Sequence, residues 1–213
     1  MTNFIPIFPL EIVVFPGEGL NLHIFEERYK QLVKECFTDN KHFGIPVVLD
    51  GKVSEIGAVV EITSIVKEYP DGKMDIVTEG KGIFRILEVI KTVPDKLYSG
   101  AIVNHLQNSM APRRKMQQHV LALVRELHRL LGVNKPLKKE DESLTSYDLA
   151  SHSGLTLKEE YELLLLLRED QRLEYLKQHL QKILPIVAGT ESLKNKIQMN
   201  GHFRELKGFN IDL

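Results

Sequence analysis

The first half of the chain alternates apolar and polar positions, and the second half repeats them at helical spacing. Leu20, Leu22 and Ile24 alternate with Asn21 and His23, the period of a strand with one buried face. At Phe25 the period changes. Tyr29, Leu32, Val33 and Phe37 fall on one side of a helix expected over residues 25–38. Ile56 to Lys67 reads as a long strand, Pro70-Asp71-Gly72 as a turn, and Met74 to Glu79 as the hairpin partner. Ile83 to Thr92 and Ser99 to Leu106 complete the set. Ahead of them, Phe15-Pro16-Gly17-Glu18 has the chemistry of a type II turn, proline fixing φ and glycine accepting a positive one. Short strands with one inserted helix predict a small curved sheet or pseudo-barrel over residues 1–109.

Residues 110–213 read as a helical domain with a tail, making the fold class α+β. Pro112 suits a first helical position. Met116, Val120, Leu123, Val124, Leu127, Leu130 and Leu131 then keep one face until Gly132 supplies an exit. A polar linker, 134–142, follows, and Thr145 to Ser153 predicts a short helix ending at Gly154. Thr156 and Glu159 form a capping box opening the next helix. The leucines at 163–167 would surround a helix on all sides, so they are expected at the centre of a small bundle. Glu169-Asp170 reads as a break or cap, Arg172 to Leu184 as a further helix stopped by Pro185, and the chain from Thr190 as a last one.

Composition narrows the function. At 213 residues, 43% hydrophobic and 27% charged, the chain is ordinary globular material. Its net charge is −1, with 11 basic against 15 acidic residues over 1–110 and 17 against 14 beyond, so no global field points to nucleic acid or an anionic membrane. The lone Cys36 excludes an internal disulfide and is expected to be a buried, unreactive thiol. No basic-then-apolar leader and no long apolar stretch occur, so a cytoplasmic protein is expected, with no membrane partner. None of the eight histidines has metal-ligand spacing. Gly80-Lys81-Gly82 is too short to cradle phosphates, and no motif frames a serine nucleophile, so catalytic residues, metals and cofactors are not expected. Arg113-Arg114-Lys115 is the densest basic cluster; it lacks aromatics and sits at a helix start, the wrong end for positive charge.

The opening carries the most specific signal: Phe4-Ile5-Pro6-Ile7-Phe8-Pro9-Leu10, Val13-Val14-Phe15-Pro16-Gly17 and Leu20-Asn21-Leu22-His23-Ile24-Phe25-Glu26-Glu27-Arg28-Tyr29. This run resembles the amino-terminal, substrate-binding domain of Lon-type ATP-dependent proteases, with Asn21 and Glu27 standing where that family often has proline. The likeness continues through His42 to Ile45, Ile56 to Ile62 and Glu79 to Ile86, and more loosely to about residue 185. It implies a PUA-like fold in a stand-alone domain lacking the ATPase and peptidase modules. It further implies a non-catalytic, protein-binding role toward unfolded or apolar polypeptide segments or a proteolytic partner. Phe15, Pro16, Leu22, His23, Phe25 and Tyr29 are the candidate contacts, with strand addition at an open sheet edge as a second mode. The alternative is a PUA-like RNA-binding module. It needs a basic stripe, for which the sequence offers Lys81, Arg85, Lys91 and Lys96, while the acidic first half opposes it.

Overall fold

The computed structural model describes residues 4–111 and 113–199, with the main chain alone over 191–199. Pro112, expected in the first turn of a helix, lies outside the described residues. In chain order the elements are β1 (Phe4–Pro6), β2 (Gly19–Ile24), α1 (Glu27–Thr38), β3 (Phe43–Leu49), β4 (Lys52–Glu68), β5 (Met74–Ile90) and β6 (Gly100–Leu106). Then come α2 (Arg114–Leu131), a 3-10 turn (Asp141–Ser143), α3 (Ser146–Ala150), α4 (Leu157–Leu164) and α5 (Glu169–Met199). The chain divides into two compact units. One holds the residues up to 112 with Gly154–Arg172, the other Arg113–Ser153 with the chain from Leu173.

The first unit is built on a mixed α+β plan around one antiparallel sheet in the order β1-β6-β5-β4-β3. β5 is long enough to pair with two strands along the same edge. β2 takes its first part, from Ile24 opposite Met74 to Gly19 opposite Glu79, and β6 takes the part from Ile83 to Ile90. Residues 7–10 then run parallel to β3: the Phe8 N–H donates to the Gly44 carbonyl at 2.7 Å and the Val48 N–H to that of Leu10 at 2.8 Å. The Ile7 N–H donates to Ser99 at 2.9 Å. The sheet thereby closes on itself, as a pseudo-barrel should. Tyr29, Leu32, Val33 and Cys36 of α1 pack on a core with Phe43, Ile45, Val60, Met74 and Ile76.

Four local expectations change. The runs 74–79 and 83–92 belong to one strand, because the glycines between them allow close approach and do not end it. The Gly80 N–H donates to Glu18, its carbonyl accepts from Gly17, and a Cβ there would lie 2.3 Å from the Phe15 carbonyl oxygen. β1 and β3 were hidden by their prolines; Pro46 is absorbed at a register shift in β3. Phe37 is 44% exposed, and Cys36, two turns on from Tyr29, takes its place on the buried face. Finally, Lys96 stands outside the strands and is paired with Glu35 at 2.9 Å, so it adds nothing to a basic stripe.

The leucine run also divides. Leu163 and Leu164 end α4 fully buried, Leu165 caps it and is exposed, and Leu166 and Leu167 have left the helix. The cause is a main-chain contact: the Ser109 N–H donates to the Leu167 carbonyl at 2.8 Å and the Glu169 N–H to that of Ser109 at 3.0 Å. Arg172, fully buried, fastens the same strip. Its guanidinium donates to the Leu166 and Ser109 carbonyls, to Asn108 Oδ1 at 2.7 Å, and to Glu169 Oε2 at 2.7 Å. Glu169 therefore begins α5 and does not break it. α5 also runs through Pro185, whose fixed φ suits a helix even though one hydrogen bond is lost, and the chain from Thr190 continues it to Met199.

In the second unit, α2 buries Gln117, Val120, Leu121, Val124 and Leu127 and ends as expected at Gly132, at φ 63°. The Val133 and Gly132 N–H groups donate back to His128 and Arg129, a Schellman closure. Thr145 with Asp148 and Thr156 with Glu159 form capping boxes at α3 and α4, the second of them in the first unit. His152 is buried against His128 with ring centres 5.2 Å apart; burial first, then Lys135, push its pKa below the usual histidine value and keep it neutral.

Replacing Arg172 by alanine leaves Glu169 buried without its ion-pair partner, and urea unfolding should show a loss of about 3–5 kcal/mol. At Gly57 an added Cβ would lie 2.4 Å from the Ile45 carbonyl oxygen and 2.5 Å from the Pro46 Cα. Gly57→Ala should therefore cost about 1–3 kcal/mol. Gly82, which faces open space, should accept alanine within about 0.5 kcal/mol. Equal effects at the two glycines would refute the close-approach argument.

Candidate functional site

β5 alternates strictly from Met74 to Gly80, burying Met74, Ile76 and Thr78 and turning Asp75, Val77 and Glu79 outward. The register of β2 sets His23 directly opposite Asp75, and β4 sets Lys67 on the other side. His23 Nδ1 lies 2.6 Å from Asp75 Oδ1, and the Tyr69 hydroxyl donates to Asp75 Oδ2 at 2.8 Å. Hydrogen bonds from His23, and next from Tyr69, hold the Asp75 carboxyl below the usual carboxylate range. The short contact to Asp75 fixes the orientation of the His23 ring through Nδ1. The His23 ring stacks toward Phe25 at 6.3 Å and meets the Tyr69 edge at 5.9 Å, while the Lys67 ammonium sits 4.4 Å above the Tyr69 ring. Phe25 is 59% exposed. The result is an outward patch of aromatic faces with the Lys67 cation beside it.

The six residues named from the sequence part company here. His23 and Phe25 lie in the patch. Leu22 packs against the core from β2, and Pro16 is half-buried in its turn, where the Glu18 N–H donates to the Phe15 carbonyl at 3.0 Å. Phe15 and Tyr29 are buried, Tyr29 stacked on Phe8 at 3.8 Å, so neither side chain is available at the surface. Tyr69, Asp75 and Lys67 escaped sequence reasoning. The alternation of β5 points Asp75 outward, but only the strand register reveals what stands beside it. The hydrogen-bond partner of His23, Asp75, lies across the sheet on β5.

A second concavity, a cleft of about 570 Å³, is bordered by Phe4, Pro6, His42, Lys96, Tyr98 and His105 with Cys36 at its wall. Burial would raise the Glu35 carboxyl beside it. Hydrogen bonds from Tyr98, Lys96 and Gln31 outweigh that and hold it low. Burial and the Glu35 charge push the Cys36 thiol up from 9.0 to about 12, so the thiol is inert. Among the described residues no group of three or more His, Cys, Asp or Glu is placed to hold a metal ion, and no helix is long and apolar enough to cross a membrane.

A closed antiparallel sheet with one inserted helix and an outward aromatic patch defines a small β-domain of pseudo-barrel type. The family model of the ATP-dependent protease La (LON) substrate-binding domain matches residues 5–182, and the chain belongs to that family. The matched region is that domain alone and includes no ATPase or peptidase module. Among solved structures, the chain is similar to the Lon N-terminal domain protein from Xanthomonas campestris at 26% identity. That match covers 82% of this chain and 96% of that one, with a TM-score of 0.59. It also shares its fold with the N-terminal domain of the Mycobacterium avium complex Lon protease, at 15% identity over 84% and 98% of the two chains, with a TM-score of 0.59.

Between its ordinary value and about 12 the folded state keeps the Cys36 proton that the unfolded chain releases. Stability should therefore fall as the pH rises above about 9, and Cys36→Ala should remove that part of the slope. Urea midpoints measured across this range check it; an unchanged slope in the alanine variant would contradict the burial of the thiol.

Proposed function

We propose that this chain is a non-catalytic polypeptide-binding domain that takes unfolded or apolar segments at the patch formed by His23, Phe25 and Tyr69. The observation that carries this reading is Phe25, a large aromatic side chain left exposed beside the His23 and Tyr69 rings, which Asp75 holds in place. A fixed aromatic surface binds apolar side chains without a large ordering cost, because the rings are immobilised before the ligand arrives. Membership of the Lon substrate-binding family supports the same class of ligand. β2 adds a second element: it pairs with β5, and among the described residues no strand pairs with its other edge, where a segment bound at the patch could add by main-chain hydrogen bonds. A single buried cysteine fits a reducing compartment such as the cytoplasm.

RNA binding has less support. Lys81 is paired with Glu61 and Glu79, Lys96 with Glu35, and the first unit carries 14 basic against 20 acidic residues. A phosphate backbone meets no continuous positive track there.

Fluorescence anisotropy with a labelled denatured polypeptide rich in aromatic and aliphatic residues tests the proposal. Binding should change little with salt, and Phe25→Ser should weaken it about tenfold, the equivalent of about 1.4 kcal/mol. Asp75→Asn should also weaken it, by releasing His23 and Tyr69. Absence of polypeptide binding, or salt-sensitive binding of a single-stranded RNA in its place, would overturn the reading.

A further inference from the structure

The second unit buries an imidazole that plays no part in the aromatic patch. His152, two residues past α3, is 9% exposed, and its Nδ1 is enclosed with no hydrogen-bond partner among the described residues. The main chain on both sides of it is pinned. The Ser151 carbonyl accepts from Lys135 Nζ at 2.9 Å and the Ser153 carbonyl from His179 Nε2 of α5 at 3.0 Å. The His152 N–H donates to the Leu149 carbonyl at 3.0 Å. Residues 151–153 therefore join α3 to the 133–140 loop and to α5, and the His152 ring lies against the His128 ring of α2 with centres 5.2 Å apart.

Neutral, the ring leaves one buried nitrogen unmet. Charged, it costs more, because an imidazolium donates from both nitrogens and nothing accepts from the enclosed Nδ1. The groups that face it are mostly basic: Lys135 and Lys138 from the loop and His128 from α2, against Asp148 from α3. Asp148 is already committed. Its carboxylate accepts from the Thr145 N–H and hydroxyl, each at 2.8 Å, and pairs with Lys139 at 2.7 Å. From α5, His179 is engaged as a donor to Ser153. Burial first, then Lys135 and His128, accordingly hold the His152 pKa below its ordinary 6.5.

We propose that residues 151–153 form an acid-sensitive latch: protonation of His152 drives its ring away from His128 and unfastens α3 from the end of α2, while the sheet of the first unit keeps its structure. The opened form has the ordinary imidazole affinity for a proton, and the closed form resists it. Between the ordinary value and the lowered one the opened form binds more protons. The closed form therefore keeps its full stability above about pH 6.5 and loses it as the pH falls below. One pH unit lower, the opened population should rise about tenfold. The sheet does not respond in this window, because carboxylates such as Asp75, held below their usual range, take up protons only at lower pH. The latch is independent of the Phe25 patch.

Hydrogen–deuterium exchange of the full chain, read by mass spectrometry at about pH 7.5 and about pH 5.5 and corrected for the intrinsic pH dependence of exchange, tests this. Peptides covering 120–131 and 144–153 should open about tenfold more often at the lower pH, and those covering 74–90 should not change. In His152→Phe, which keeps a ring and loses the titration, the two conditions should agree. An NMR titration of the assigned histidine ring signals of the unaltered chain gives a readout that needs no variant: the His152 signal should move at a pH below the ordinary histidine value. The proposal is overturned if His152 titrates at or above that value, if exchange over 144–153 is the same at both pH values, or if the acid response survives in His152→Phe.

Discussion

The first unit depends on closure of its sheet by residues 7–10. This short strip, hydrogen-bonded to Gly44 and Val48 of β3 and flanked by the Ile7 contact to Ser99, joins the two ends of the strand order. Closure satisfies main-chain groups that would otherwise stand at two open edges, and it curves the sheet around the core that α1 caps. It requires glycine wherever strands or loops press together without room for a Cβ, as at Gly57 and Gly80. The prolines of the opening segment suit the strip for the same reason. Pro6 and Pro9 offer no N–H that would demand a partner, while Phe8 between them keeps one and uses it.

A second constraint is the Arg172 clamp. A fully buried guanidinium is tolerated only where its donors are met, and here carbonyls, an amide oxygen and the Glu169 carboxylate meet them. The clamp holds residues 108–110 against 166–169 and so decides where α4 ends and α5 begins. Five successive leucines would otherwise favour one unbroken helix. A few main-chain hydrogen bonds and one ion pair outweigh that local preference because their alternative is an unsatisfied buried polar group.

The aromatic patch is built by the sheet itself. In the patch, the carboxylate of Asp75 immobilises His23 and Tyr69 from opposite sides, and exposed Phe25 completes an apolar face on a rigid sheet. A face of this kind favours apolar contact with little salt dependence. In the second unit, Gln117 and Arg125 tie the 3-10 turn to α2.

The amino-acid sequence by itself determined the class of the fold, the turn at Gly17, the α1 helix, most of the strands, the exit at Gly132 and the capping box at Thr156. These rest on local chemistry: side-chain period, φ preference, and side-chain oxygens that meet nearby N–H groups. The opening motif alone identified the family. It also named His23 and Phe25, the two of its six candidate contacts that stand in the exposed patch. Tertiary structure alone decided that Gly80 lies inside a strand, that Cys36 and not Phe37 turns inward, and that the leucine run divides. It also decided that Asp75, with Tyr69 bonded to it, stands beside His23, since the register of β2 on β5 joins positions 52 apart. Local preference is a property of a few neighbouring residues, whereas register is fixed by the closure of the whole sheet.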